Sequence, residues 1–251
     1  MKQSKKIGWV SALFVLMASL HPGIVGAYDS TTLSFPGDGY VGVCLHDQIP
    51  EFLAQAIYKI TGQTEMTHCW VTATVNGVHG VIHSDGLRGV HFLSWPELLN
   101  LCKDESIRLF RPNKTAIGFA EIHELGINLY GLPPIFRQLI ALRLGNLMIN
   151  SWLQKMLAYR GVPYDLGFQP EDNDIYCSEL MAHGWNNTGA AFELFPSQKA
   201  DTLDGWGEWS EVIKALLGSL GYTITENTDV YDLTYILSEE IRPYFTEISV
   251  N

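Results

Sequence analysis

Apolar residues follow two rhythms along this chain. Up to about residue 110 they come mostly in short runs set between turn residues. Pro36-Gly37-Asp38-Gly39 reads as a turn, and Tyr40 to Leu45 after it as a strand. His68 to Val75 (HCWVTATV) is rich in β-branched and aromatic side chains, as strands are. Asn76-Gly77 is a hairpin signal that sends the chain back through Val78 to Ser84. Gly89 to Leu93 and Ser106 to Phe110 predict two further strands, with a short helix over Trp95 to Leu101 between them. One early segment breaks this rhythm: Ile49, Phe52, Leu53, Ala56, Ile57 and Ile60 step by threes and fours, a helix that Gly62 would end. From Pro134 onward the helical period takes over. It covers Pro134 to Arg160, with a break or kink expected near Gly145, then Ile175 to Trp185. An amphipathic helix marked by Trp206, Trp209, Ile213, Leu216, Leu217 and Leu220 follows, and then a weakly patterned tail. Phe195 to Trp206 reads as a surface loop. Strands first and helices later predict one α+β domain.

The first 27 residues stand apart. Lys2, Lys5 and Lys6 precede an apolar run from Ile7 to Leu20, Pro22-Gly23 breaks it, and Val25-Gly26-Ala27 offers small side chains to a signal peptidase. The expectation is a signal peptide over residues 1–27 and a single exported domain over 28–251. An uncleaved anchor is the alternative, but the run is short of the roughly 20 residues a bilayer span needs. The chain is 47% hydrophobic and 17% charged, with a formal net charge of −11. That balance suits a globular domain. It argues against nucleic acid and against adhesion to anionic lipid, both of which call for basic surface.

Four cysteines, Cys44, Cys69, Cys102 and Cys177, are too few for a disulfide framework, although export permits one bridge among the first three. Cys177 begins a predicted helix, with Ser178 and Glu179 in its first turn. Unpaired N–H groups and the helix dipole there favour a thiolate and suit an oxyanion, which makes Cys177 a candidate nucleophile. His68 opens a strand and is the candidate base. Strand alternation sends Cys69 to the opposite face from His68, so Cys69 reads as a core or disulfide residue. His83, on the returning strand, is placed to fix the His68 tautomer, with Asp85 and then Glu97 as alternatives. Tyr164, Asp165, Tyr176, Ser178 and Glu179 read as residues that shape the cleft or the helix start. His68, His79, His83 and His91 suggest a metal cluster, but His79 and His83 would lie about 13 Å apart on a strand, and no acidic ligand completes the set. No metal and no cofactor is expected.

These residues, taken in order, resemble the circularly permuted papain-like cysteine hydrolases, the YiiX-like amidase branch of the NlpC superfamily. The matching features are Gly37-Asp38 before the first strand, Thr67-His68 at the head of a strand, and Val81-Ile82-His83 on the next. Gly161-Val162-Pro163-Tyr164-Asp165 follows a helix, and Tyr176-Cys177-Ser178-Glu179-Leu180 comes last. The resemblance spans about residues 36–185, leaving a C-terminal helical extension at about 200–251. It implies a permuted papain-like fold, an antiparallel sheet packed against helices, with Cys177 and His68 as catalytic pair. The family usually has an acidic third residue; lecithin:retinol acyltransferase-like relatives have a histidine there, as His83 is here. The implied activity is hydrolysis of an amide in a peptide or peptidoglycan stem, in the periplasm or outside the cell. Lipid acyl transfer or deacylation is the rival enzyme reading, and an inactive binding domain the rival from another class. Asn113 and Asn186 lie in Asn-x-Thr sequons, relevant only to a eukaryotic source.

Overall fold

The computed structural model describes residues 33–45, 66–86, 88–102, 106–165, 174–203, 206–220 and 222–248. The helix expected at Ile49–Ile60 and the leader lie outside the described residues. Six strands form one sheet: β1 (Val41–Cys44), β2 (His68–Val75), β3 (Val78–Asp85), β4 (Gly89–Ser94), β5 (Arg108–Pro112) and β8 (Phe245–Ile248), in the order β4-β3-β2-β1-β5-β8. Every pairing in it is antiparallel. The β2–β3 turn falls at Asn76-Gly77, where both residues have positive φ (52° and 79°), as a two-residue hairpin of matching twist requires.

The sheet is covered on both faces, which is why β1 and the first six residues of β2 are buried without alternation. One face carries Val41, Val43, Cys69, Val71, Ile82 and Val90. It packs under α3 (Pro134–Ala158) and α4 (Cys177–Asn186), with Trp152, Met156, Leu180 and Trp185 as the large buried side chains. The other face carries Trp70, Val81, Leu93 and Leu109 under α1 (Trp95–Leu99). Gly42 admits this arrangement, since a methyl there would overlap the Trp70 indole ring. A disulfide joins Cys44 to Cys102, with Cα atoms 5.8 Å apart, and Cys69 is free.

Three sequence expectations change. The long helix is not broken at Gly145; α3 runs 25 residues through it. Gly145 is instead a contact point, because an added methyl would lie on the Lys114 carbonyl oxygen of α2 (Lys114–Glu124). That helix was not evident in the sequence. Asn113 caps it, its Oδ1 accepting from the Ala116 N–H at 3.1 Å. The tail has a definite role, since residues 245–248 supply the edge strand β8. The expected surface loop after Phe195 contains β6 (Gln198–Lys199), which pairs with β7 (Asp229–Val230) beside α5 (Trp206–Leu220). Trp206, Ile213 and Leu217 are buried in a small satellite core there with Ala200 and Val230.

Gly145→Ala tests the helix contact. Alanine favours a helix by about 1 kcal/mol, while forcing two backbones apart costs about 1–3 kcal/mol. The expected outcome is a lower thermal midpoint, with the secondary structure intact by circular dichroism. A raised midpoint would show that the contact is slack.

Candidate active site

The start of α4 is set by hydrogen bonds from three directions. Tyr176 is extended (φ −89°, ψ 174°), and its N–H donates to the Glu179 carboxylate at 3.3 Å, which stops the helix from extending backwards. Ile175 donates its N–H to the Pro163 carbonyl at 2.9 Å and accepts from the Ser84 hydroxyl at 2.6 Å. On the other side, the Tyr231 N–H donates to Tyr176 Oη and the Ser178 hydroxyl donates to the Tyr231 carbonyl, both at 2.6 Å. Pro163 is itself strapped to the sheet through its neighbours: Val90 N–H donates to the Val162 carbonyl and Gly161 N–H to the Val90 carbonyl, each at 2.8 Å. The Gly161–Asp165 motif therefore ties β4 to Ile175, two residues before the cysteine. Cys177, first in the helix, is 7% exposed.

Two groups meet the Cys177 sulfur and pull its pKa well below the ordinary thiol value despite burial. The first is a hydrogen bond from the Cys69 side chain; the second is hydrogen bonding and charge from His68. Cys69 is the complementary partner, its own pKa pushed well up by burial and then by Cys177, so it remains a thiol that can donate. Alternation does send Cys69 into the helix-covered face, as expected. That face holds Cys177, however, so the assignment of Cys69 to core or disulfide misses its contact with the candidate nucleophile. His68, at the first position of β2, still reaches the sulfur from the strand end. Tyr164 lies close enough for burial, then the charges of Cys177 and Cys69, to raise its phenol well above the usual value.

Behind His68 runs a line of imidazoles. His68 Nε2 is 2.8 Å from His83 Nδ1, and His83 Nε2 is 2.9 Å from His91 Nε2. His91 Nδ1 is 2.9 Å from the Gly89 carbonyl oxygen. A carbonyl only accepts, so His91 Nδ1 carries a proton and, in the neutral ring, its Nε2 accepts from His83 Nε2–H. His83 Nδ1 then accepts from His68 Nε2–H, so in the neutral ring His68 Nδ1 is unprotonated and can take the thiol proton. A single backbone carbonyl thus sets three tautomers in sequence. Asp85, the alternative orienter, sits beside the His83–His91 contact, with its Oδ2 3.4 Å from His91 Nε2 and its Oδ1 accepting from Arg88 N–H. Glu97 is engaged elsewhere. It accepts from Ser94 N–H at 3.0 Å at the start of α1, and its pKa is lowered by that serine.

Of the other expected residues, Asp165 and Glu179 are fully buried, and Tyr176 and Ser178 anchor the helix as described. Glu179 Oε1 is 3.4 Å from His183 Nε2, one turn along α4, and burial lowers the His183 pKa. His79 stands outside the line; it is exposed, near Thr74 Oγ1 and stacked on Phe35. Sequence reasoning gave His91 no place beside the base, although the β3–β4 hairpin makes His83 and His91 direct cross-strand partners. It also gave no sign of Tyr231, whose contacts depend on the tail.

No protein-family model matches the chain, and no curated protein matches it. Among solved structures it is similar to the crystal structure of the metalloprotein YiiX from Escherichia coli O157:H7. The TM-score is 0.59 at 16% identity, over 87% of this chain and 99% of that one. The fold is accordingly YiiX-like, an antiparallel α+β architecture.

The two causes of thiol activation are separable. Both Cys69→Ala and His68→Ala are expected to raise the pH at which Cys177 becomes alkylated by iodoacetamide, while Cys69→Ser, which restores a donor, moves it back. If Cys69→Ala leaves the profile unchanged, the thiol pair does not stabilise the thiolate.

Proposed function

We propose that this protein is an exported cysteine-dependent hydrolase of the permuted papain-like type, with residues 1–27 as its leader. The observation that carries this reading is the pair of histidines behind Cys177: His68, which lowers the Cys177 pKa, lies 2.8 Å from His83, and the sulfur is at the first position of a helix. His68 Nδ1 takes the thiol proton and the sulfur attacks a carbonyl carbon, forming a C–S bond as the carbonyl electrons move to oxygen. The N–H groups at the first turn of α4 would stabilise that oxyanion. As it collapses, the bond to the leaving nitrogen breaks and His68 returns the proton to it. Water then attacks the thioester by the same route and frees the acid and the thiol. The positive charge formed on His68 is shared along the histidines toward Asp85, so His83 does by relay what an acidic third residue does by fixed charge. The resemblance favours an amide in a peptide or peptidoglycan stem; the histidine at the third position favours lipid esters as the next substrates to try.

The test is a panel of model amides, esters and thioesters, followed by intact-mass detection of the acyl enzyme. The expected result is turnover with a Cys177-linked intermediate, abolished in Cys177→Ala and reduced about 10²-fold or more in His83→Ala. A folded protein inactive on all three classes would support a binding domain instead.

A second reading rests on the far end of the line. One ligand atom each of His83, Asp85 and His91 lies within 4.8 Å of the others, and the similar YiiX structure is a metalloprotein. The acidic ligand judged missing from the sequence is supplied by the fold. Two imidazoles and a carboxylate suit zinc, which would act there as a Lewis acid. Ligation through His83 Nε2 would place the His83 proton on Nδ1, facing His68 Nε2 and reversing the tautomers that leave His68 ready for the thiol. Cobalt titration checks this. Binding at the three residues is expected to give visible ligand-field bands with no sulfur-to-metal charge-transfer band, lost in His91→Ala, and slower alkylation of Cys177. A charge-transfer band would place the metal on the thiols instead.

A further inference from the structure

The hairpin of α2 and α3 exposes an unusual amount of apolar surface. Several large apolar side chains between Phe119 and Leu147, among them Tyr130, Ile135, Phe136, Leu139 and Ile140, are between 38% and 82% exposed, and among the described residues only Val78 and Val212 elsewhere are comparable. The helix crossing explains it. Gly118 lies against the Ala141 backbone and Gly145 against Lys114, so the helices close on small residues; one face of α3 is buried on the sheet, while Ile135, Phe136, Leu139 and Ile140 stay exposed. The loop between them is braced, not loose. Arg137 donates to the carbonyls of Leu132 (2.7 Å) and Tyr130 (2.6 Å), and its guanidinium lies over the Tyr130 ring.

Charge selects the partner. From Leu125 to Tyr164 there is no Asp or Glu, while Arg137, Arg143, Lys155 and Arg160 are present; all 27 carboxylates of this acidic chain lie elsewhere, Glu124 being the last before the stretch. Apolar surface flanked by cations fits a lipid bilayer, where apolar side chains enter the acyl boundary and arginines reach the headgroups. A second copy packed face to face would oppose like charges. No described helix is long and apolar enough to cross a membrane, so the contact is interfacial.

We propose that the α2–α3 hairpin docks this protein on a bilayer that presents anionic headgroups. The net charge, which argued against lipid adhesion from the sequence, then works as an orienting device: the acidic remainder is repelled while the basic, apolar hairpin faces the surface. A hydrolase oriented in this way would work on substrates held at or near that membrane, but the docking stands on the hairpin alone and does not depend on the chemistry at Cys177.

The test is flotation of the full chain with phosphatidylcholine vesicles, with and without phosphatidylglycerol, beside a Phe136→Ser/Ile140→Ser double variant and Arg143→Gln. All three share one N-terminal segment, so a difference between them reads the hairpin. Wild type is expected to float with the anionic vesicles, the double variant to bind at least about tenfold more weakly, and Arg143→Gln about fivefold more weakly on anionic vesicles only. Equal flotation of wild type and double variant overturns the proposal. So does the absence of vesicle binding together with a dimer, by sedimentation velocity, that the double variant loses; that result assigns the face to self-association. Turnover assays of the double variant in solution separate a failure of docking from a failure of the proposed chemistry.

Discussion

A buried sulfur whose pKa is held well below that of an ordinary thiol is the constraint around which this site is organised. An isolated thiolate is costly in an apolar interior and persists only where donors surround it. Here two parts of the chain supply the groups around it: adjacent His68 and Cys69 at the start of β2, and the first turn of α4 itself. A small displacement of the helix start would separate the sulfur from His68 and Cys69. The three sets of hydrogen bonds around residues 175–178, to Pro163, to Ser84 and to Tyr231, prevent that displacement.

Antiparallel pairing does comparable work on the other side of the site. The β3–β4 register sets His83 opposite His91, and β2 beside β3 brings His68 into line. Three weak bases in series have no fixed charge among them, so their proton positions depend on the polar group at the end. Gly89 provides that group through its carbonyl, and Asp85 provides the nearest negative charge. The arrangement is sensitive to its far end: whatever binds at His91 decides which nitrogen His68 offers to the thiol. The relay to a carbonyl and the proposed divalent-ion site would draw on the same side chains.

Distribution matters more than total in the charge of this chain. The composition describes an acidic molecule, yet the hairpin is locally basic and apolar. Gly145, which read as a break in one helix, is with Gly118 one of two glycines that let the backbones of α2 and α3 touch. A period-based reading treats glycine as a weakness in one helix; only the presence of a second helix shows it as a contact between two.

By itself the sequence determined the local elements and the identity of the candidate pair, Cys177 and His68. β-branched runs, the Asn76-Gly77 turn and the helical period from Ile175 each encode structure within a few residues, and a cysteine at a helix start is readable for the same reason. The pairing of Cys44 with Cys102, the approach of Cys69 to Cys177, the place of His91 in the line and the return of the tail as β8 were decided by tertiary structure. Those contacts join segments whose separation in sequence carries no information about distance. They form only because burying both faces of the sheet fixes where each strand end and helix start must lie.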